Sequence, residues 1–184
     1  METKSRNQIL PLAMAAVMTA VTCILAPISI PIGPVSFTLG YFAIFLTVYV
    51  LGWKLGTLSC AAYLLLGLVG MPVFSGFAGG LGRLAGPTGG FLIGYLPMAL
   101  LAGLAVDHSK NRVVQFLGMA LGGAVCYAFG TAWFCVQAQA DLQKALAVCV
   151  LPFIPWDILK AVLAIGLGGV IRGRLEAAGL SFDK

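Results

Sequence analysis

The chain has 184 residues, 60% of them hydrophobic and 9% charged, with a mean hydropathy of +1.02. Soluble domains carry roughly 25% charged residues, so this composition excludes a small water-soluble globule and leaves lipid as the solvent. The net charge of +5 comes from 11 basic residues that form no dense stripe with interleaved aromatics, which argues against nucleic acid as a partner.

A transmembrane helix needs about 20 apolar residues to cross a hydrocarbon core about 30 Å thick. Apolar runs predict six such helices, over about 9–30, 35–51, 55–70, 89–106, 113–136 and 156–171. The expected fold class is an all-α integral membrane protein, with residues 1–184 forming a single membrane domain. Lys4 and Arg6 ahead of the first run resemble a signal peptide. That run exceeds the usual apolar region of about 7–15 residues, so an uncleaved first helix is expected. Breaks are predicted at 31–34, with Pro31 and Pro34, at 52–54, at the glycine-rich loop 71–88 and at 107–112. In the last break, 137–155, the apolar stretch 145–151 is too short to span and reads as a partial or re-entrant helix ended by Pro152 and Pro155.

Basic residues then give the orientation. With six helices, Lys4, Arg6, Lys54, Lys110, Arg112, Arg172, Arg174 and Lys184 share one side, Arg83 and Lys144 lie on the other, and Lys160 lies within a helix. Both termini are therefore expected on the cytoplasmic side, with the loops at 31–34, 71–88 and 137–155 facing outward, where an external ligand would arrive.

Asp157 and Lys160 open the last hydrophobic segment. A charge in mid-membrane costs on the order of 2.5–3.5 kcal/mol, and their (i, i+3) spacing lets the two partly neutralise each other on one helix face. Such residues mark a substrate path; the alternative is an interfacial pair that snorkels to the headgroups and caps a helix. Arg83 is the one charge in the glycine-rich loop, where Phe74 and Phe77 add aromatic surface. This loop forms either an outer plug over a ligand or a flexible connector with an interfacial arginine. Ala16 and Ala20 make a small-xxx-small step on the first helix, near Ala13 and Thr19, suited to close packing inside the bundle or against another membrane protein. Gly122, Gly123, Gly166, Gly168 and Gly169 read as close-packing positions, and Trp53 and Trp156 as interfacial anchors.

No catalytic grouping emerges, and no Walker motif, so an enzyme is not expected and any ATP-driven transport depends on another chain. The five cysteines are scattered and His108 is the sole histidine, so no metal site is expected and the thiols read as small hydrophobes.

The stretches Val35-Ser36-Phe37-Thr38-Leu39, Met71-Pro72-Val73-Phe74, Gly86-Pro87-Thr88-Gly89-Gly90 and Pro152-Phe153-Ile154-Pro155-Trp156-Asp157, followed by Lys160-Ala161, resemble the BioY family in order and spacing. The resemblance implies a six-helix S-component bundle that captures biotin from outside, as part of an energy-coupling factor (ECF) transporter. It also implies partnership with a transmembrane coupling subunit and two cytoplasmic ATPases, with no cofactor beyond the transported ligand. In this reading Ala16 and Ala20 contact the coupling subunit, and Thr38, Phe74, Phe77, Gly86, Thr88 and Trp156 join the ligand-binding set, the Trp156 ring either stacking near the ligand or sitting in the headgroups. Two positions depart from the family pattern: Gly40 stands where a glutamine is common, and Trp156 where a small residue is usual. Biotin's carboxylate calls for a cation, supplied by Arg83 or Lys160, while Asp157 and Lys160 suit the donors and acceptor of its ureido ring. Competing readings are an S component for another vitamin, an autonomous carrier coupled to protons through Asp157, and an intramembrane enzyme or assembly subunit.

Overall fold

The computed structural model describes residues 2–32 and 35–178. In chain order it contains α1 (Glu2–Leu25), β1 (Ser29–Ile32), β2 (Val35–Thr38), α2 (Gly40–Leu68), α3 (Leu81–Ala85), α4 (Gly89–His108), α5 (Arg112–Ala138), α6 (Leu142–Cys149) and α7 (Ile154–Ala177). Four of these, α2, α4, α5 and α7, are long and apolar enough to cross a membrane, and Ile9–Leu25 of α1 is a shorter apolar helix.

The predicted helices 35–51 and 55–70 are joined in α2, whose backbone leaves helical geometry at Gly52 (φ 77°, ψ −178°). Eight residues of straight helix would separate Val48 from Gly56 by about 12 Å. Instead, a Cβ built on Gly56 would lie 2.7 Å from the Val48 Cα, so the chain doubles back. Only glycine tolerates this conformation. The Trp53 amide that opens the second arm donates to the Asp107 Oδ2 at 2.8 Å, which satisfies one of the orphan donors of a helix start. Asp107 Oδ1 also accepts from Arg172 at 3.2 Å. The hinge of α2, the end of α4 and the end of α7 therefore meet at one end of the bundle.

At the other end the helical bundle carries one short non-helical addition. A hairpin pairs residues 29–32 with 35–38 in antiparallel register, with Ser29 opposite Thr38 and Ile32 opposite Val35. It ends α1 at Leu25 rather than near residue 30 and starts α2 at Gly40 rather than 35. Pro31 provides no amide for a helix but fits a short strand edge. The region 71–88 is a loop carrying the single-turn α3, and the partial helix expected at 145–151 is α6. The last helix runs from Ile154 to Ala177, longer than the 156–171 expected, with a proline in its first turn.

Packing follows the rules of lipid-facing bundles, where small residues let backbones approach. Cβ atoms added at Gly122 and Gly168 would lie 2.8 Å from the Met98 carbonyl oxygen and 2.7 Å from the Tyr49 ring. Gly123 abuts the Tyr41 hydroxyl and Gly169 faces Tyr49 as well. Gly166, expected to share this role, has open space around it. Hydroxyls tie α1 to both arms of α2: Thr22 to Thr47 at 3.3 Å and Thr19 to Ser59 at 2.8 Å, each bond worth about 0.6 kcal/mol in such settings. Thr19 therefore faces inward, while Ala13, Ala16 and Ala20 lie exposed on the opposite side of α1.

Candidate functional site

A cavity opens between the bundle and a roof made by the hairpin and the glycine-rich loop. The roof is knitted together by Ser75 donating to Ser29 at 3.0 Å and by the Gly76 amide donating to the Pro27 carbonyl at 3.1 Å. Asp157, Lys160, Arg83, Thr38, Phe74 and Thr88 all line this cavity, although they come from α7, α3, the hairpin and the loop. The first turns of α7 aim Asp157 and Lys160 inward. Pro155 presets the helix start, and the (i, i+3) step puts both side chains on one face. The interfacial snorkelling alternative does not describe Lys160, which is only 6% exposed.

Its ammonium is held on two sides. Lys160 Nζ lies 2.8 Å from Asp157 Oδ1 and sits 4.0 Å from the centroid of the Phe37 ring and 5.6 Å from that of Tyr41. Ion pairing and the ring quadrupoles together offset the desolvation of a buried cation. The second carboxylate oxygen of Asp157 accepts a hydrogen bond from the Tyr127 hydroxyl. Arg83, by contrast, forms no ion pair among the described residues. Two cations and one carboxylate thus line the cavity and leave one positive charge uncompensated.

Three expected ligand residues stand outside the lining. Phe77 is 69% exposed, with its backbone in the left-handed region at φ 57°. Its neighbour Phe74 is the buried one, wedged against Gly67 and edge-on to Tyr63 at 5.7 Å. Gly86 acts through its carbonyl, which accepts from Trp133 Nε1 at 2.9 Å and pins the loop that carries Arg83 and Thr88. Trp156 is 52% exposed and packs edge-on against Phe37 at 5.6 Å, so it buttresses the ring that covers Lys160. Thr38 lines the cavity, but its hydroxyl is engaged with the backbone. It donates to the Ala26 carbonyl at 2.6 Å and accepts from the Gly40 amide at 2.9 Å. Gly40 packs so closely on Ala26 that an added Cβ would lie 3.0 Å from the alanine methyl.

Sequence reasoning passed over Tyr41, Tyr95 and Tyr127, which also line the cavity. They lie inside apolar runs, where an aromatic reads as core, and the partner of the Tyr127 hydroxyl, Asp157, comes from a distant segment. The cavity encloses about 70 Å³, well below the roughly 300–1,000 Å³ of sites that engulf a drug-sized ligand. Behind Tyr127 and Asp157 a second, almost wholly apolar groove of about 290 Å³ runs between α5 and α7.

Comparison with known proteins follows the same lines. The chain is 42% identical over 154 residues to a biotin transporter BioY of Thermotoga maritima, covering 83% of this chain and 90% of the relative. It is 38% identical over 161 residues to a probable biotin transporter BioY of Pyrococcus horikoshii, covering 88% and 95%. Among solved structures it resembles the S-component for biotin from an ECF-type ABC transporter, with a TM-score of 0.84, 33% identity and coverage of 91% of this chain and 93% of that one. The model of the BioY family matches residues 1–177. The chain belongs to the BioY family.

Proposed function

We propose that this protein captures biotin at the outer face of a cell membrane and serves as the substrate-binding S component of an ECF-type vitamin transporter. The observation that carries the reading is the cavity's charge: a neutralised Asp157–Lys160 pair beside the unpaired Arg83. One uncompensated positive charge matches a monocarboxylate with a neutral polar ring. Arg83 grips the carboxylate bidentately, Asp157 accepts from the ureido N–H groups, and Lys160 donates to the ureido oxygen. Phe74 and Phe91 supply apolar wall for the thiophane ring and tail. The names of the relatives and of the solved structure point to the same ligand.

In this reading α1, the two arms of α2, α4, α5 and α7 make six crossings. Lys54, Lys110, Arg112, Arg172 and Arg174 near the hinge end support a topology with both termini on the cytoplasmic side. The protein has no cofactor of its own. Energy comes from two ATPase subunits through a transmembrane coupling subunit, which docks on the exposed Ala16 and Ala20 of α1.

Equilibrium binding of labelled biotin to the detergent-solubilised protein tests the proposal. Saturable binding is expected, weakened about ten- to hundredfold in Lys160→Ala, because that variant removes a charged donor to the ureido oxygen, a bond worth about 1.5–3 kcal/mol. No binding by a folded wild type would discard biotin as the ligand. Undiminished binding by the variant would keep biotin and discard this site.

A further inference from the structure

The cavity contains a polar group that neither the sequence motifs nor the charge argument uses. Tyr127 lies on α5, in a run of apolar residues, and its ring stacks near Tyr41 at 6.3 Å with an interplanar angle of 25°. Its hydroxyl meets Asp157 Oδ2, while Lys160 occupies Oδ1 at 2.8 Å. Asp157 is the carboxylate of an ion pair with Lys160, and a carboxylate only accepts. The Tyr127 proton is therefore committed to Asp157. What the phenol presents to the cavity is an oxygen with free lone pairs and no proton to give.

We infer that Tyr127 is a specificity-determining residue: its hydroxyl oxygen is the second hydrogen-bond acceptor for the ligand, beside the Asp157 carboxylate. The inference rests on the biotin reading and deepens it. A ureido ring carries two N–H donors and one carbonyl acceptor. Lys160 meets the carbonyl, and Asp157 and Tyr127 each take one N–H. The arrangement has a chemical consequence. With its phenol fixed as an acceptor, the site rejects a ring that lacks either N–H, because a buried acceptor is then left without a partner. The wall behind Tyr127 strengthens the commitment. The groove there is lined almost entirely by apolar side chains, such as Phe45, Met119 and Ala161, so Asp157 is the acceptor on hand for the phenol proton.

The test is a set of competition titrations against labelled biotin on the full-length protein, using biotin and its two singly N-methylated ureido isomers. Wild type is expected to bind both isomers at least about tenfold more weakly than biotin. Tyr127→Phe is expected to bind biotin about ten- to hundredfold more weakly and to leave the affinity for one isomer nearly unchanged, since that isomer has already lost the same contact. If Tyr127→Phe weakens biotin and both isomers by one common factor, the tyrosine is a structural support and the inference fails. It fails also if the variant binds biotin as wild type does. Should the variant not fold, wild type alone decides: an isomer bound as tightly as biotin overturns the second acceptor. A folded wild type that binds no biotin removes the functional reading and this inference together, an outcome distinct from all the others.

Discussion

Lys160 and Asp157 illustrate how a charge survives among apolar helices. Each would be costly alone, and together they are neutral, hydrogen-bonded and covered by the ring of Phe37. Arg83 is different, since no carboxylate among the described residues pairs with it. A guanidinium in that position favours an anionic ligand group, so Arg83→Ala is expected to weaken biotin about ten- to hundredfold while hardly changing the affinity for biotin amide. Parallel titrations of acid and amide check this. An equal loss for both ligands would return the carboxylate to Lys160.

Among the elements, α2 carries the sharpest requirement. Its reversal at Gly52 needs a left-handed, extended backbone, and an added Cβ would meet Asp107 Oδ2 at 2.5 Å. Gly52→Ala is expected to destabilise the protein by about 1–3 kcal/mol through backbone strain alone, before any displacement of Asp107 is counted. Thermal unfolding in detergent would show the lowered midpoint, and Asp107→Ala should lower it as well by exposing the Trp53 amide. The hairpin and the glycine-rich loop behave as one roof, joined through Ser29–Ser75 and braced at Gly86 by Trp133. Because these ties are few and sited at the mouth, the roof is the part of the fold best suited to move when a ligand enters a cavity of about 70 Å³.

Across the whole molecule the two ends have separate chemistry. One end gathers the hinge, Asp107 and Arg172; the other holds the cavity and its roof. Between them α1 turns its hydroxyls inward to α2 and its Ala13, Ala16 and Ala20 outward. A bulky residue on the outward face has nothing internal to disturb. Ala16→Trp with Ala20→Trp is therefore expected to leave biotin affinity within about twofold, because surface changes away from packed contacts are close to neutral, and to abolish co-purification with the coupling subunit and ATPases. Co-purification and binding, measured on the same preparation, separate the two effects. Loss of biotin binding would mean instead that this face packs within the protein.

Much of this was legible in the residues, for identifiable reasons. Bilayer thickness and hydropathy demand long apolar helices, so the runs ending near Asp107 and beginning near Arg112 emerged within a few residues of α4 and α5. A charge pair inside an apolar segment announces itself by its cost, which is why Asp157 and Lys160 stand out in the sequence, and Arg83 stands out as the one charge of its loop. The short strands at 29–38 were hidden because four residues carry too little periodicity to outweigh the flanking apolar runs. Phe74 and Phe77 could not be told apart either, since their burial depends on a partner, Gly67, on a different segment. Composition and spacing by themselves determined the solvent, the helices and the charged residues. Tertiary structure alone decided that Tyr127 meets Asp157, that Trp156 braces Phe37 and that Thr38 is engaged by backbone. The physical reason is that hydrogen bonds and ring contacts act over a few ångströms, between residues that the chain brings together only by folding.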